Sequence, residues 1–434
     1  MKTYSIITLG CKVNQYESSS IAASFDAMGF EYKKFPDICD IYVVNTCTVT
    51  NMSDRKSRQM MHKARSLNPD CVIIATGCLV QNKPEDMKGN GADIILGNNE
   101  KPYIEDIVNN YLNNKEDSLI SVSDISRYKP YTNTRFADRW ERTRGYIKIQ
   151  DGCDNFCSYC IIPYVRGRVR SRELTDIIKE AEFMASNGIK EVVLTGIHLN
   201  SYGKDLNEIS LLDVISALND VKGIRRIRLG SLEPNVVDEE FINEILKYPK
   251  LCPHFHMSLQ SGSDNVLKDM NRRYDSRIYL KAVKLLRDNL PDVELTTDII
   301  VGYPTETEED FLMSINLVTK AEFLKTHVFK FSKRKGTKAE KLKPLNSMIL
   351  NERSDRLISV ADKTAYLKMS SYIGKTLEIL VEEQKQGYVI GHSRNYIKVQ
   401  AHLKKETNTS YINNFYKVLI TKADKYNLYG NLIE

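Results

Sequence analysis

What the sequence lacks narrows it before any motif does. Its 434 residues contain no apolar run of the roughly 18 residues or more that a membrane-spanning helix needs, so no membrane span is expected. Residues 1–7 read as a short strand, not as an apolar leader with a cleavage site, and the expected location is the cytoplasm. There is no internal repeat and no low-complexity tract, which sets aside repeat architectures and disordered tails. A large excess of either charge is lacking as well, with 62 Lys and Arg against 56 Asp and Glu. A net charge of +6 matters only if it gathers on one face, where it could serve an anionic partner.

With 42 % hydrophobic and 27 % charged residues, the composition is that of an ordinary globular protein. The length exceeds the roughly 250–300 residues at which single cores stop growing, so two or three domains are expected. Cysteine is present nine times. In a reducing compartment such cysteines seldom form structural disulfides, which leaves metal binding or buried thiols.

The predicted fold class is α/β and multidomain. Residues 1–113 alternate apolar runs, at 4–9, 41–44, 72–75 and 94–96, with helical patterns over 14–30, N-capped by Asn14, and over 52–66. That alternation predicts a small doubly wound parallel sheet. Residues 114–138 are polar and read as a linker. Residues 139–370 resume the alternation, with strand candidates at 145–149, 191–195, 225–230, 254–259, 294–300 and 327–331, which suggests an open (β/α)6 partial barrel. Residues 371–434 change character. Strand signals at 376–382 and 410–412, punctuated by Gly387, Gly391 and Gly430 without a long helix, predict a small antiparallel β-barrel of a kind that often binds nucleic acid.

Cys153, Cys157 and Cys160 form a C-x3-C-x2-C run after the first core strand. Three thiolates on one loop can hold three corners of a [4Fe–4S] cluster and leave one iron open, for instance to the amino and carboxylate groups of S-adenosylmethionine. A zinc loop is the alternative, but it needs a fourth ligand, and the next histidine is His198. Cys11, Cys47 and Cys78 each follow one of the first three main strand candidates. In a doubly wound sheet the loops at the carboxyl ends of the strands gather on one edge, so the three would meet in space and could hold a second cluster. The alternative is three small buried residues at strand ends. Cys39, Cys71 and Cys252 join neither set and read as buried thiols.

These residues resemble the radical S-adenosylmethionine methylthiotransferase family over nearly the whole chain. The stretch QDGCDNFCSYCIIPYVRGRVRSR at 150–172 is closest to its MtaB branch, which acts on N6-threonylcarbamoyladenosine in tRNA. The resemblance implies an N-terminal methylthiotransferase domain whose Cys11, Cys47 and Cys78 hold an auxiliary [4Fe–4S] cluster. It implies a radical core whose Cys153, Cys157 and Cys160 hold the other, and a C-terminal TRAM-type barrel. One S-adenosylmethionine gives its methyl group to a cluster-borne sulfur, and a second yields the radical that removes hydrogen from C2 of the base. That C2–H is neither acidic nor a leaving group, so the hard step belongs to a cofactor. The expected partners are the tRNA anticodon stem-loop and an electron donor such as a flavodoxin-type protein. Sister branches act on isopentenyl-adenosine in tRNA or on a ribosomal-protein aspartate. A non-catalytic RNA-binding protein with a structural metal is the rival outside the family.

The resemblance also implies cofactor contacts at Gly196 and Ile197, at Glu233 as an acid for the ribose hydroxyls, at Asp298, Val301 and Gly302 against adenine, and, more weakly, at Gln260 and Ser261. His254 and His256 alternate on a strand and read as packed or surface residues. Arg166, Arg168, Arg170 and Arg172 alternate after the cysteine loop. If that segment is extended, the four point one way and could line a phosphate track on RNA. Arg135, Arg139, Arg142 and Arg144 add charge just before the core. Seven tyrosines from Tyr372 onward, with lysines such as Lys398, Lys404 and Lys405, suit stacking on RNA bases or, equally, a barrel core.

Overall fold

A computed structural model describes residues 1–114, 118–127, 129–136, 143–207, 209–403 and 410–433. Arg139, Arg142, Lys404 and Lys405 lie outside the described residues. The N-terminal elements are β1 (Thr3–Thr8), α1 (Lys12–Ala27), β2 (Glu31–Tyr32), β3 (Ile41–Thr46), α2 (Asn51–Leu67), β4 (Val72–Gly77), α3 (Cys78–Asn82), α4 (Pro84–Lys88), β5 (Ile94–Leu96), α5 (Ile104–Asn114) and β6 (Leu119–Ser121). They form one parallel sheet in the order β2-β1-β3-β4-β5-β6. Every residue of β3 is buried, as a central strand covered on both faces must be. Ile21, Phe25, Ile104 and Val108 cover one face, and Met61, Ala64, Leu79 and Met87 the other. The order reverses at β1, so the loops after β1 and β3 flank a switch-point crevice.

Two expectations are corrected here. Residues 119–121 are not linker but the sixth strand of this sheet. Asn14 is not an N-cap, because α1 starts earlier with Cys11 in that place. Asn14 is buried, and its amide donates to the carbonyls of Leu9 at 2.7 Å and Thr46 at 3.0 Å, tying two strand-end loops together.

The core continues through β7 (Arg144–Lys148), β8 (Gln150–Asp151), α6 (Ile162–Arg166), β9 (Arg170–Ser171), α7 (Leu174–Ser186), β10 (Glu191–Thr195), α8 (Leu211–Asp220), β11 (Arg226–Leu229), β12 (Ser231–Leu232), α9 (Glu239–Ile245), β13 (His254–Met257), α10 (Asp264–Asp269), α11 (Ser276–Asn289), β14 (Glu294–Val301), α12 (Glu308–Ala321), β15 (Lys325–Lys330) and α13 (Ser347–Ser370). The parallel sheets β11-β10-β7 and β12-β13-β14-β15 hold seven strands, and since β11 and β12 are consecutive stretches interrupted only at Gly230, they make an open arc of six positions. Period-2 alternation divides its faces. Ile147, Val192, Leu194, Ile227, Phe255, Leu295 and Ile299 pack on the helices. Arg144, Glu191, Arg228, His254, His256 and Asp298 occupy the concave face.

The chain ends in β16 (Thr376–Lys385), β17 (Tyr388–Ser393), β18 (Lys398–His402), β19 (Phe415–Ala423) and β20 (Leu428–Leu432), a closed barrel. The strand expected at 410–412 is instead the turn leading into β19, pinned by the Tyr411 amide donating to Gln384 Oε1 at 2.9 Å. The turn between β17 and β18 inserts Tyr396 into the base of the core. Its ring centroid lies 4.8 Å from that of His254 and 4.6 Å from the Arg228 guanidinium. Tyr372 donates to Glu294 at 2.6 Å. These two tyrosines seal an interface and are not a stacking platform. No helix among the described residues is long and apolar enough to cross a membrane.

Candidate active site

The loop bearing Cys153, Cys157 and Cys160 is shaped by close backbone contacts. A Cβ on Gly152 would fall 1.8 Å from the Arg168 carbonyl, and its φ of +71° favours glycine. The Cys153 amide donates to Gly167 at 3.1 Å, and Asn271 donates to the carbonyls of Asn155 and Phe156 at 3.1 and 3.2 Å. Burial pushes the Cys153 thiol up to about 11 and the Cys160 thiol up to about 12, with the other cysteines of the trio adding to the shift. Arg272 donates to Cys157 Sγ at 3.2 Å and pairs with Glu233 at 2.7 Å.

Cys11, Cys47 and Cys78 converge as the topology predicts. Cys11 caps α1, Cys47 follows β3, and Cys78 opens α3. Two glycines permit the approach. A Cβ on Gly10 (φ +99°) would lie 2.8 Å from Cys47 Cβ, and one on Gly77 (φ +99°) 2.4 Å from the Thr46 carbonyl. Burial, then the neighbouring Cys78, pushes the Cys47 thiol up to about 11. Arg166 donates to Cys78 Sγ at 3.3 Å. Each trio therefore receives one arginine N–H on one sulfur, the contact that tunes a thiolate ligand. Cys39, Cys71 and Cys252 are buried elsewhere.

In neither trio do the three sulfurs all come within 4.8 Å of one another. Tetrahedral zinc with Zn–S of about 2.3 Å would hold its thiolates about 3.8 Å apart. Neither trio is drawn as close as a single zinc ion would hold it. Among the described residues, the ligand atoms of His256, Asp298 and His327 do lie within 4.8 Å of one another.

The two cysteine sites face each other. Cys78 packs against Ile161 and Val165, just beyond Cys160. The Arg166 guanidinium, fully buried, donates to Glu17 at 2.7 Å, Asn14 at 2.7 Å and Asp151 at 3.1 Å. Lys148 donates to Glu17 at 2.8 Å and to Asp151 at 2.6 Å, and Lys101 also pairs with Glu17. Burial opposes the Glu17 carboxylate, but Arg166, Lys101 and Lys148 outweigh it and hold its pKa well below the usual range.

The phosphate-track reading of the arginines is thereby corrected. Arg166 ends α6 and Gly167 turns with φ +74°, so the segment is not one extended strand and its alternation does not define a face. Arg172 is buried against Glu180, and Arg170 is 11 % exposed beside Asp151. Only Arg168, at 56 %, is open to solvent.

Of the expected cofactor contacts, Glu233 is beside the loop. It accepts from Asn155 at 3.0 Å and lies 3.3 Å from His198 Nε2. Gly196 lies against Gln150, where a Cβ would meet Gln150 Oε1 at 2.9 Å, and Ile197 next to it is half-buried. Gln150 itself, not singled out in the sequence, donates to the Asp151 and Gly152 carbonyls at 2.7 Å and accepts from the His198 amide at 2.8 Å. Gln260 (φ +70°) bridges β14 through its backbone, and Ser261 is buried. Asp298 lies in the concave face 3.2 Å from His256. Val301 and Gly302 differ from expectation. Val301 packs into the helix-side core, and the space Gly302 leaves is taken by Leu350, 2.7 Å from a would-be Cβ.

Lys12, the residue after Cys11, reaches the concave face. Its electrostatic neighbours are Tyr396, Arg228, Arg144 and Asp298, so all three parts of the chain meet there.

Residues 147–318 match the Radical SAM superfamily, and residues 3–97 match Uncharacterized protein family UPF0004. The threonylcarbamoyladenosine tRNA methylthiotransferase MtaB of Bacillus subtilis is 39 % identical over 407 residues, 92 % of this chain and 90 % of that protein. MtaB of Thermotoga maritima is also 39 % identical, over 92 % of this chain and 91 % of that protein. The tRNA-2-methylthio-N(6)-dimethylallyladenosine synthase of Caldicellulosiruptor saccharolyticus is 34 % identical over 100 % of this chain and 93 % of that protein. In fold, the chain is similar to the radical S-adenosylmethionine methyltransferase TsrM of Kitasatospora setae, with a TM-score of 0.55 at 15 % identity over 76 % of this chain and 73 % of that one. The chain belongs to the radical S-adenosylmethionine methylthiotransferase family.

Proposed function

We propose that this protein inserts a methylthio group at C2 of N6-threonylcarbamoyladenosine beside the tRNA anticodon. It does so in the cytoplasm, using S-adenosylmethionine and two [4Fe–4S] clusters, with electrons from a flavodoxin-type donor. The observation that carries the reading is the apposition of two open cysteine trios, with the α3 that begins at Cys78 packed on the α6 that follows Cys160. When bound, the clusters supply the electron for cleaving S-adenosylmethionine and a place to carry sulfur. The chain supplies the rest. Arg272 and Arg166 donate to one sulfur in each trio, Gln150 and Asn271 fix the loop, and Glu233 offers a carboxylate near Cys157 through Arg272. Cys11, Cys47 and Cys78 hold the auxiliary cluster, and Cys153, Cys157 and Cys160 the radical one.

The threonylcarbamoyl substrate is favoured over the dimethylallyl one by identity, 37–39 % to the MtaB proteins against 33–36 % to the dimethylallyladenosine synthases. Mass spectrometry of tRNA nucleosides from a strain lacking this gene tests it. Unthiolated threonylcarbamoyladenosine should accumulate, and an unchanged level overturns the assignment. Anaerobic analysis should give about eight irons per chain, and zinc in their place would end the enzymatic reading.

A further inference from the structure

We infer that Lys12 is a specificity residue, the counter-charge for a carboxylate carried by the substrate base in the concave face of the core. The inference rests on the tRNA reading above and names what that reading leaves open, the recognition of the N6 substituent.

Both arginines of the face are engaged. Arg144 pairs with Glu382 at 3.3 Å, and Arg228 with Glu191 at 2.9 Å. Asp298, the acid among the electrostatic neighbours of Lys12, is held by His256 at 3.2 Å, and His256 in turn bonds Thr296 at 2.9 Å. Lys12, half-buried, makes no ion pair and no hydrogen bond among the described residues. Tyr396 stacks on His392 and contacts His254 below it, which closes the face toward the C-terminal barrel. His254 and His327 also have Lys12 among their charged neighbours, and burial holds both rings below the usual range, so neither adds a competing cation. An ammonium in that setting has lost part of its hydration and formed no direct ion pair, a cost that an incoming anion removes and a hydrocarbon does not.

The position in the chain gives the anion its source. Lys12 follows Cys11 directly, so it stands beside the sulfurs of the N-terminal trio. In adenine, C2 and the carbon bearing N6 flank the same ring nitrogen. A base presented with C2 toward those sulfurs carries its N6 substituent within reach of the lysine. A threonylcarbamoyl substituent ends in a carboxylate, and a dimethylallyl one does not. A site built to pair with a charged group rejects the analogue that lacks it more strongly than an apolar pocket rejects an extra polar one.

The test uses cluster-loaded enzyme and an anticodon stem-loop RNA whose N6-threonylcarbamoyladenosine is either the free acid or its methyl ester. Wild type should prefer the acid by about tenfold or more in KM, the worth of one charge-assisted contact. Lys12→Gln should erase that preference by weakening the acid alone, and Lys12→Arg should keep it. Equal weakening of acid and ester, or a rise in KM for S-adenosylmethionine instead of RNA, overturns the inference. If Lys12→Gln loses iron, the wild-type comparison decides alone, and no preference for the acid overturns the inference. Failure of wild type on both RNAs would instead count against the tRNA reading itself.

Discussion

The two cysteine trios reach similar ends by opposite routes. Cys153, Cys157 and Cys160 sit on one short loop, and their geometry is local, set by Gly152, Asn271 and the backbone of the next turn. Cys11, Cys47 and Cys78 come from three strand ends and meet only when the parallel sheet is complete, with Gly10, Gly77 and Asn14 drawing the loops together. A loop can place ligands before the rest of the domain folds. A strand-end trio exists only in the folded sheet. The first site therefore depends on a motif and the second on a topology, and they should fail differently.

The sharpest way to break this contrast is at the sulfurs. Cys157→Ala should abolish cleavage of S-adenosylmethionine, while Cys47→Ala should leave some reductive cleavage and yield no methylthio product. Product analysis under reducing conditions reads both, and equal loss of cleavage in the two variants would show that the division of labour is wrong. Next in size is Arg166→Met, which leaves Glu17 and Asp151 buried with one cation fewer. A destabilisation of about 3–5 kcal/mol is expected in denaturant unfolding, with iron lost first from the N-terminal site. Arg168→Ala, two residues on and exposed, is its control and should change stability by no more than about 0.5 kcal/mol.

A smaller effect lies at the far end of the core, away from both trios. Burial raises the Glu294 carboxyl to about 7, opposed by Lys368 and Tyr372. Between the ordinary carboxyl range and about 7 the folded chain keeps a proton that the unfolded chain releases, so stability falls across that window and stays low above it. Glu294→Gln should therefore be more stable than wild type at pH 8, by up to about 3 kcal/mol, and indistinguishable near pH 4. Thermal melts at several pH values check this. Iron content should not move, which separates folding of the core from assembly of either site.

The legibility of the chain follows the same division. The C-x3-C-x2-C run announces itself because its spacing is its geometry. The strand-end cysteines are legible only through the alternation of apolar runs and helices, which the sheet order confirms. The arginines were misread because sequence shows a charge and hides its partner. Arg166 looks like one of four alternating cations, yet its main partner, Glu17, is 149 residues away. The strand expected at 410–412 had strand-forming residues, but its Tyr411 amide bonds a side chain, Gln384, and the chain turns there into β19. Gln150, Arg272 and Lys12 left no local signal, since each acts through groups that only the tertiary fold brings near.

Glu17 carries one more consequence. Of the three cations around this buried acid, Lys101 belongs to its own domain, while Lys148 and Arg166 come from the core. Cut the chain between the two, and the N-terminal piece keeps a carboxylate with a single counter-ion while the core keeps Arg166 and Lys148 with Asp151 alone. Domain boundaries mark where strands stop and start, but cooperativity does not respect this one. The N-terminal sheet and the radical core should melt in a single transition, and neither should be portable into a chimera without its half of that ionic knot.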